Sequence, residues 1–301
     1  MQNSLYKSGK SKSVVEKIIE AVFLICACAS TFAVIIITAY MIMSGAPAIA
    51  EIGVFKFLLG KVWAPTLKDP QFGILPMILS TLYATAGSIL LGVPVGVMGG
   101  VFLAFLAPKK ISSVLRASVE LLAGIPSVIY GFLGMLLIAP AVAKIFNLPI
   151  GSNLLSATLV LSIMILPTII TITETSLDAV PETLSEASLG LGGTEIQTIF
   201  KVMIPAARSG IMTAIVLGIG RAIGETMAVI MVAGNVVNMP AIFQSVRLMT
   251  TGIVLEMSYA APFHRSVLFA IGLVLFVFIM ILNIILNLFL KGQIKSFKKK
   301  A

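Results

Sequence analysis

Charge is what this chain has least of. Asp, Glu, Lys and Arg together make up 11% of its 301 residues, with 12 acidic side chains against 21 basic ones, and histidine and tryptophan occur once each. A soluble domain carries about a quarter of its residues as charged side chains, so this composition, with a mean hydropathy of +1.10, excludes an ordinary soluble domain. Scarce histidines and carboxylates also leave no cluster of acid, base and nucleophile from which an enzyme site could be built, so no catalytic residue is assigned. His264 stands alone, without thiolates or carboxylates close by in sequence, and makes a poor metal ligand; no metal site is expected. The two cysteines, Cys26 and Cys28, are two residues apart in an apolar run, where helical side chains do not face each other, so neither redox chemistry nor metal binding is expected of them.

Long apolar runs are what the chain has in quantity. A helix needs about 20 apolar residues to cross a bilayer, and six runs qualify, at 18–43, 75–105, 118–145, 154–176, 209–234 and 266–290. In lipid every backbone polar group needs an internal partner, so these runs are expected to be helices and the chain an all-α, polytopic membrane protein. The first run is too long for a signal-peptide core and no cleavage site follows it, so it reads as a retained span. The net charge of +9 is distributed by side. Lys7, Lys10, Lys12 and Lys17 precede the first span, Lys109, Lys110 and Arg116 lie between the second and third, Lys201 and Arg208 between the fourth and fifth, and Lys291 to Lys300 close the chain. All fall on one side when six spans are threaded, which places both termini in the cytoplasm. The expected layout is a basic N-terminus at 1–17, a transmembrane domain at 18–290 with a cytoplasmic loop at about 177–208, and a basic C-terminus at 291–301.

Between the first two spans an external segment contains an apolar stretch, 52–62, too short to cross, with Trp63 where an interfacial anchor is expected; a helix resting on the outer surface fits it. The second span carries Gly87, Gly92, Gly96, Gly99, Gly100 and Pro94, which favours close helix approach and tilted or broken packing. Pro126 and Pro167 fall within the third and fourth spans and predict kinks.

"SGKS" at Ser8 to Ser11 has the tail of a phosphate-binding loop, but position 4 is Ser4 where glycine is needed and no strand precedes it, so ATP binding by this chain is not expected. The loop "TSLDAVPETLSEASLGLGGTEIQTIFKVMIPAARSG" is more informative. Pro181 and Glu182 suit a helix start, Gly192 and Gly193 an end, and Thr194 with Gln197 has the spacing of a capping box, predicting a second short helix to about Met203 before Pro205 leads into the fifth span. Leu184, Ala187, Leu189, Leu191, Ile196, Ile199, Phe200 and Val202 make the lobe too apolar for a free loop, so it reads as a docking surface. Glu186-Ala187-Ser188, three residues, Gly192, nine residues, then Val202-Met203-Ile204-Pro205 resembles the EAA loop of ABC-transporter permeases of the importer type. Ser188 replaces an alanine of that pattern, Val202 an isoleucine and Ile204 a leucine. The resemblance implies that Glu186, Ala187, Ser188, Gly192 and Pro205 belong to coupling helices seated in a groove of an ATPase subunit.

"GIGRAIGETMAV" places Arg221 and Glu225 in the middle of an apolar span. A lone charge there costs about 2.5–3.5 kcal/mol on insertion scales, so intramembrane charges are candidates for function. On a continuous helix Ala214, Gly218, Arg221, Glu225 and Ala228 share one face of small residues, and Glu225 is expected to pair with Arg221. An intrahelical pair that merely fixes packing is the competing reading, although arginine before glutamate is the weaker order for helix stability. An arginine presents fixed donors to a tetrahedral oxyanion, which an adjacent carboxylate could hold in place or release.

Together with "LLAGIPSVIYGF" and "FGILPMILSTL", this motif resembles the permeases of the phosphate-specific ABC importer, over about residues 57–247, and the long external segment favours the PstC-type over the PstA-type subunit. The resemblance implies a type I importer permease (MetI-like) fold and phosphate passage past Arg221 and Glu225. Arg247 in an outer loop is a weaker candidate for receiving phosphate or touching the binding protein, beside a simple interfacial role. The implied partners are a PstA-type permease, two PstB-type ATPases that bind ATP and Mg, and a PstS-type extracytoplasmic phosphate-binding protein, in a prokaryotic cytoplasmic membrane; this chain binds no cofactor. A permease for another oxyanion and a proton-coupled secondary carrier are the alternatives, the carrier being expected to show inverted repeats or discontinuous helices.

Overall fold

The computed structural model describes residues 14–298, and most of them are helical. In chain order they form α1 (Val14–Ile52), α2 (Val54–Leu59), β1 (Trp63–Ala64), β2 (Gln71–Phe72), α3 (Leu75–Val101), α4 (Lys109–Gly124), α5 (Ser127–Leu133), α6 (Ala139–Ile145), α7 (Leu154–Asp178), α8 (Glu182–Gly190), α9 (Glu195–Thr198), α10 (Ile204–Gly224), α11 (Met227–Val232), α12 (Met249–Met257) and α13 (Pro262–Lys298). The two short strands pair antiparallel, Trp63 opposite Phe72. Wider π turns extend α3 over Phe102–Leu106, join α5 to α6 over Gly134–Ile138 and join α9 to α10 over Ile199–Met203. Lys7, Lys10, Lys12, the Ser8 to Ser11 stretch, Lys299 and Lys300 lie outside the described residues.

Among the described residues six helical runs are long and apolar enough to cross a membrane: Glu16–Ile52, Leu75–Leu106, Ser127–Ile145, Leu154–Asp178, Glu195–Gly224 and Pro262–Ile285. The third begins later than the apolar run at 118–145 suggested. Ile125 is extended and Pro126 precedes the first turn of α5, because proline forces the residue before it out of the helical region. Pro126 therefore opens a span and does not kink the middle of one, while α4 is a separate amphipathic helix with no buried residue. Pro94 and Pro167 lie inside α3 and α7 without interrupting either.

The fifth run also differs from the expected 209–234. Thr194 caps α9 with the reciprocal bonds to Gln197 that the spacing predicts, but the helix does not stop near Met203. It continues through the π turn, with Pro205 in the first turn of α10, and ends instead at Gly224.

Glycine sets how the helices pack. A Cβ on Gly92 or Gly96 would come within 2.7 Å of Ile165 or Ile169 on α7, and on Gly100 within 2.7 Å of Thr173, so α3 lies against α7 along its length. From the other side, a Cβ on Gly218 of α10 would lie 3.0 Å from Ile169. Helix α7 is thus wedged between α3 and α10, and Met164, Ile165 and Ile169 are fully buried there. Helix α1 sits outside this core against α13, with Gly45 close to the backbone of Ala270 and Tyr40 edge-on to Phe269 at 5.3 Å. Its other faces expose apolar side chains, as a lipid-facing helix does.

At the end of the molecule opposite α8 and α9, the apolar stretch expected on the surface is the single short helix α2. One side chain of it, Phe57, is fully buried, in a cluster with Phe72, Ile74, Met77, Met249 and Leu268.

Candidate functional site

Arg221 lies in the last turn of α10, and the close α10–α7 seam at Gly218 carries it against α7 one turn further on. There its Nη1 donates to Thr168 Oγ1 at 3.1 Å. Thr168 is about 21 Å along α7, whose full length is about 37 Å, so the contact is at membrane depth. Among the described residues no carboxylate forms an ion pair with Arg221, so most of its donors are unspent.

Glu225 does not pair with Arg221. The α10 helix ends at Gly224, Glu225 is extended (φ −70°, ψ 129°), and the helical face assumed for the two residues stops between them. The carboxylate is used elsewhere: Oε1 accepts the backbone N–H of Ala228 at 2.9 Å, capping the start of α11. The Glu225 carbonyl, freed by the break, accepts the Thr250 hydroxyl at 3.1 Å. A capping bond to the carboxyl oxygen satisfies a backbone donor that lipid could not, and it takes the place of the unfavourably ordered side-chain pair. Both residues are half-buried, Arg221 in the last turn of α10 and Glu225 just past the helix break.

Arg247 is likewise not a free outer cation. Its Nε donates to the Asn235 carbonyl at 2.9 Å and its Nη1 pairs with Glu256, whose side chain is 5% exposed. The same carboxylate accepts the Trp63 indole N–H at 3.1 Å and meets His264 Nε2 at 2.8 Å. The indole N–H of Trp63 is thus spent on an internal acceptor, and His264 has a carboxylate partner that its place in sequence concealed. This clasp ties the β1–β2 hairpin, the loop before α12 and the start of α13 together. Among the described residues no group of three or more His, Cys, Asp or Glu side chains is placed to hold a metal ion.

At the other end α8 and α9 fold into a compact lobe. Gly192 takes the left-handed φ of 84° that its turn requires and that other residues rarely adopt. Ser188 Oγ lies 2.8 Å from Thr198 Oγ1, tying the two helices together. Glu186, Ala187 and Gly192 are exposed, as are Leu184, Leu189, Ile196 and Phe200, and Leu191 is 91% exposed. Ile199 is buried and Val202 half-buried, so they support the lobe from beneath and do not belong to its surface. Pro205 is half-buried at the root of α10. Close by, Arg116 on α4 pairs with Glu174 at 2.6 Å and reaches Asp178 at 3.6 Å, holding α4 against the end of α7 from which the lobe springs.

Comparison with known proteins bears on this arrangement. Residues 96–295 match the family model described as binding-protein-dependent transport system inner membrane component. The chain is 40% identical over 257 residues to a probable ABC transporter permease protein, YqgH, of Bacillus subtilis, covering 84% of this chain and 83% of the relative. It is 36% identical over 244 residues to the phosphate transport system permease protein PstC of Mesorhizobium japonicum, covering 74% of each. Among solved structures, a chain of the inward-facing MetNI methionine ABC transporter superposes with a TM-score of 0.58 at 20% identity, over 73% of this chain and 95% of that one. A chain of a bacterial alginate ABC transporter, solved in complex with an alginate-bound periplasmic protein, superposes with a TM-score of 0.59 at 15% identity, over 96% and 99%. The fold is that of the MetI-like importer permeases.

Proposed function

The chain belongs to the binding-protein-dependent transport system inner membrane components and is an ABC importer permease, and on that premise we propose that its cargo is inorganic phosphate, passed along Arg221. The observation that carries the proposal is a guanidinium at membrane depth with one hydroxyl partner and no ion pair among the described residues. Such a group lowers its own burial cost by meeting an anion in transit, and its fork of donors fits tetrahedral oxygens. That chemistry admits any oxyanion; the likeness to PstC proteins narrows it to phosphate. Glu225, capping α11 across the helix break, would tune the same passage by repelling an anion held too tightly at Arg221.

In this reading the permease pairs with a PstA-type subunit and receives phosphate from a PstS-type binding protein on the face where the Glu256 clasp lies. The α8–α9 lobe then projects into the cytoplasm against a PstB-type ATPase, and both termini lie on that side. ATP and Mg belong to the ATPase subunits, and this chain binds neither. A helix break at membrane depth also occurs in secondary carriers, but the likeness to ABC transporter permeases favours ATP as the energy source. The test is uptake of radiolabelled phosphate by vesicles containing the assembled transporter, with ATP and with excess sulfate or molybdate as competitors. ATP-dependent phosphate uptake indifferent to sulfate is expected; uptake of a different oxyanion in its place would refute the phosphate assignment while leaving the importer intact.

A further inference from the structure

The hydroxyl that accepts from Arg221 has a donor of its own to place. Thr158, Ser162, Thr175 and Ser176 on α7 each donate their hydroxyl proton to the backbone carbonyl four residues earlier, at 2.6–2.8 Å, the ordinary way a hydroxyl is satisfied inside a membrane helix. Thr168 and Thr173, on the same helix, make no such bond; Thr173 is fully buried against Gly100, whereas Thr168 is half-buried beside a guanidinium. The Thr168 oxygen accepts from Arg221, and its own proton has no acceptor among the described residues. The side chain is half-buried, and the Gly218–Ile169 contact fixes the helix spacing that keeps it beside the guanidinium. An O–H donor and several N–H donors therefore lie together at membrane depth, with no further acceptor among the described residues.

Building on the reading of Arg221 as the anion contact, we propose that Thr168 is a second, direct contact for the transported oxyanion. Accepting from Arg221 orients the hydroxyl so that its proton is presented on the guanidinium's open side. A tetrahedral oxyanion placed there would accept from both side chains through different oxygens. One threonine hydroxyl thus both steadies the arginine and completes the donor set.

The test uses the whole transporter in proteoliposomes and measures phosphate moved per ATP hydrolysed, which separates passage from ATPase activity. Thr168→Val, close in shape but without the hydroxyl, is expected to lower that ratio about tenfold, and Thr168→Ser to stay within about twofold of wild type. Each variant is first shown to assemble with its partners and to unfold at the wild-type temperature. The same Thr168→Val change is then made in an Arg221→Lys background, where the fork is gone but the charge remains. A further loss there is expected of a direct contact; no further loss would mean that Thr168 only props the arginine, and would overturn the proposal. A wild-type ratio for Thr168→Val alone would overturn it too. Failure of the underlying reading looks different: Arg221→Gln would then leave phosphate uptake unchanged, whatever Thr168 does.

Discussion

At the scale of single residues, the chain handles its few buried charges in two opposite ways. Glu256 meets Arg247, Trp63 and His264 at once, whereas Arg221 has one neutral partner among the described residues. The first arrangement is structural. Glu256→Ala strands the Arg247 guanidinium, whose side chain is 18% exposed, and removing one partner of a buried pair costs about 3–5 kcal/mol. Thermal unfolding of the purified protein in detergent should show a clear drop in midpoint for this variant and a smaller one for Glu256→Gln, which keeps an acceptor. Arg221 was legible in the sequence because a charge interrupts an apolar run. Thr168 was not, because threonine is unremarkable in a membrane helix and its role depends on a packing contact 53 residues away. Glu256 carried a faint signal, one carboxylate in the apolar "GIVLEM", but its partners come from three separate elements that no local pattern connects.

Among elements, hydrophobic length found every span, and the errors lie where proline or a capping bond overrode length. The run at 118–145 hid the junction at Ile125 and Pro126, and the run at 209–234 hid the break at Glu225, where a carboxylate caps the next helix. Glycine spacing in α3 did foretell close approach, though not that α7 would be the helix approached from both sides. Gly218→Val tests that seam: it would push α10 from Ile169 and part Arg221 from Thr168. Overpacking of this kind costs about 1–3 kcal/mol, so a lower unfolding midpoint and less phosphate per ATP are both expected. The lobe offers a cleaner separation. Leu191 touches little of its own chain, so Leu191→Glu should leave folding unchanged while weakening co-purification with the ATPase subunit, because a charge would replace apolar area at the docking surface.

For the whole molecule, the distribution of basic residues and the fold give one consistent account of sidedness. Among the described residues the candidate spans number six, and the basic residues Arg116, Lys201 and Arg208 lie near the lobe, so the proposed orientation puts both ends of the chain on the lobe's side. Epitope tags at either terminus should be digested only when protease reaches the cytoplasmic face of membrane vesicles; digestion from the outside would invert the arrangement. In the proposed account the clasp holds the outer loops, the lobe would receive the ATPase stroke, and Arg221 lies between them at membrane depth. The most direct measurement of that account compares wild type and Arg221→Gln in vesicles carrying the assembled transporter, reading phosphate uptake and ATP hydrolysis together. Loss of uptake with assembly and hydrolysis retained is the predicted result. Undiminished uptake would make Arg221 a packing residue and contradict the account at its centre.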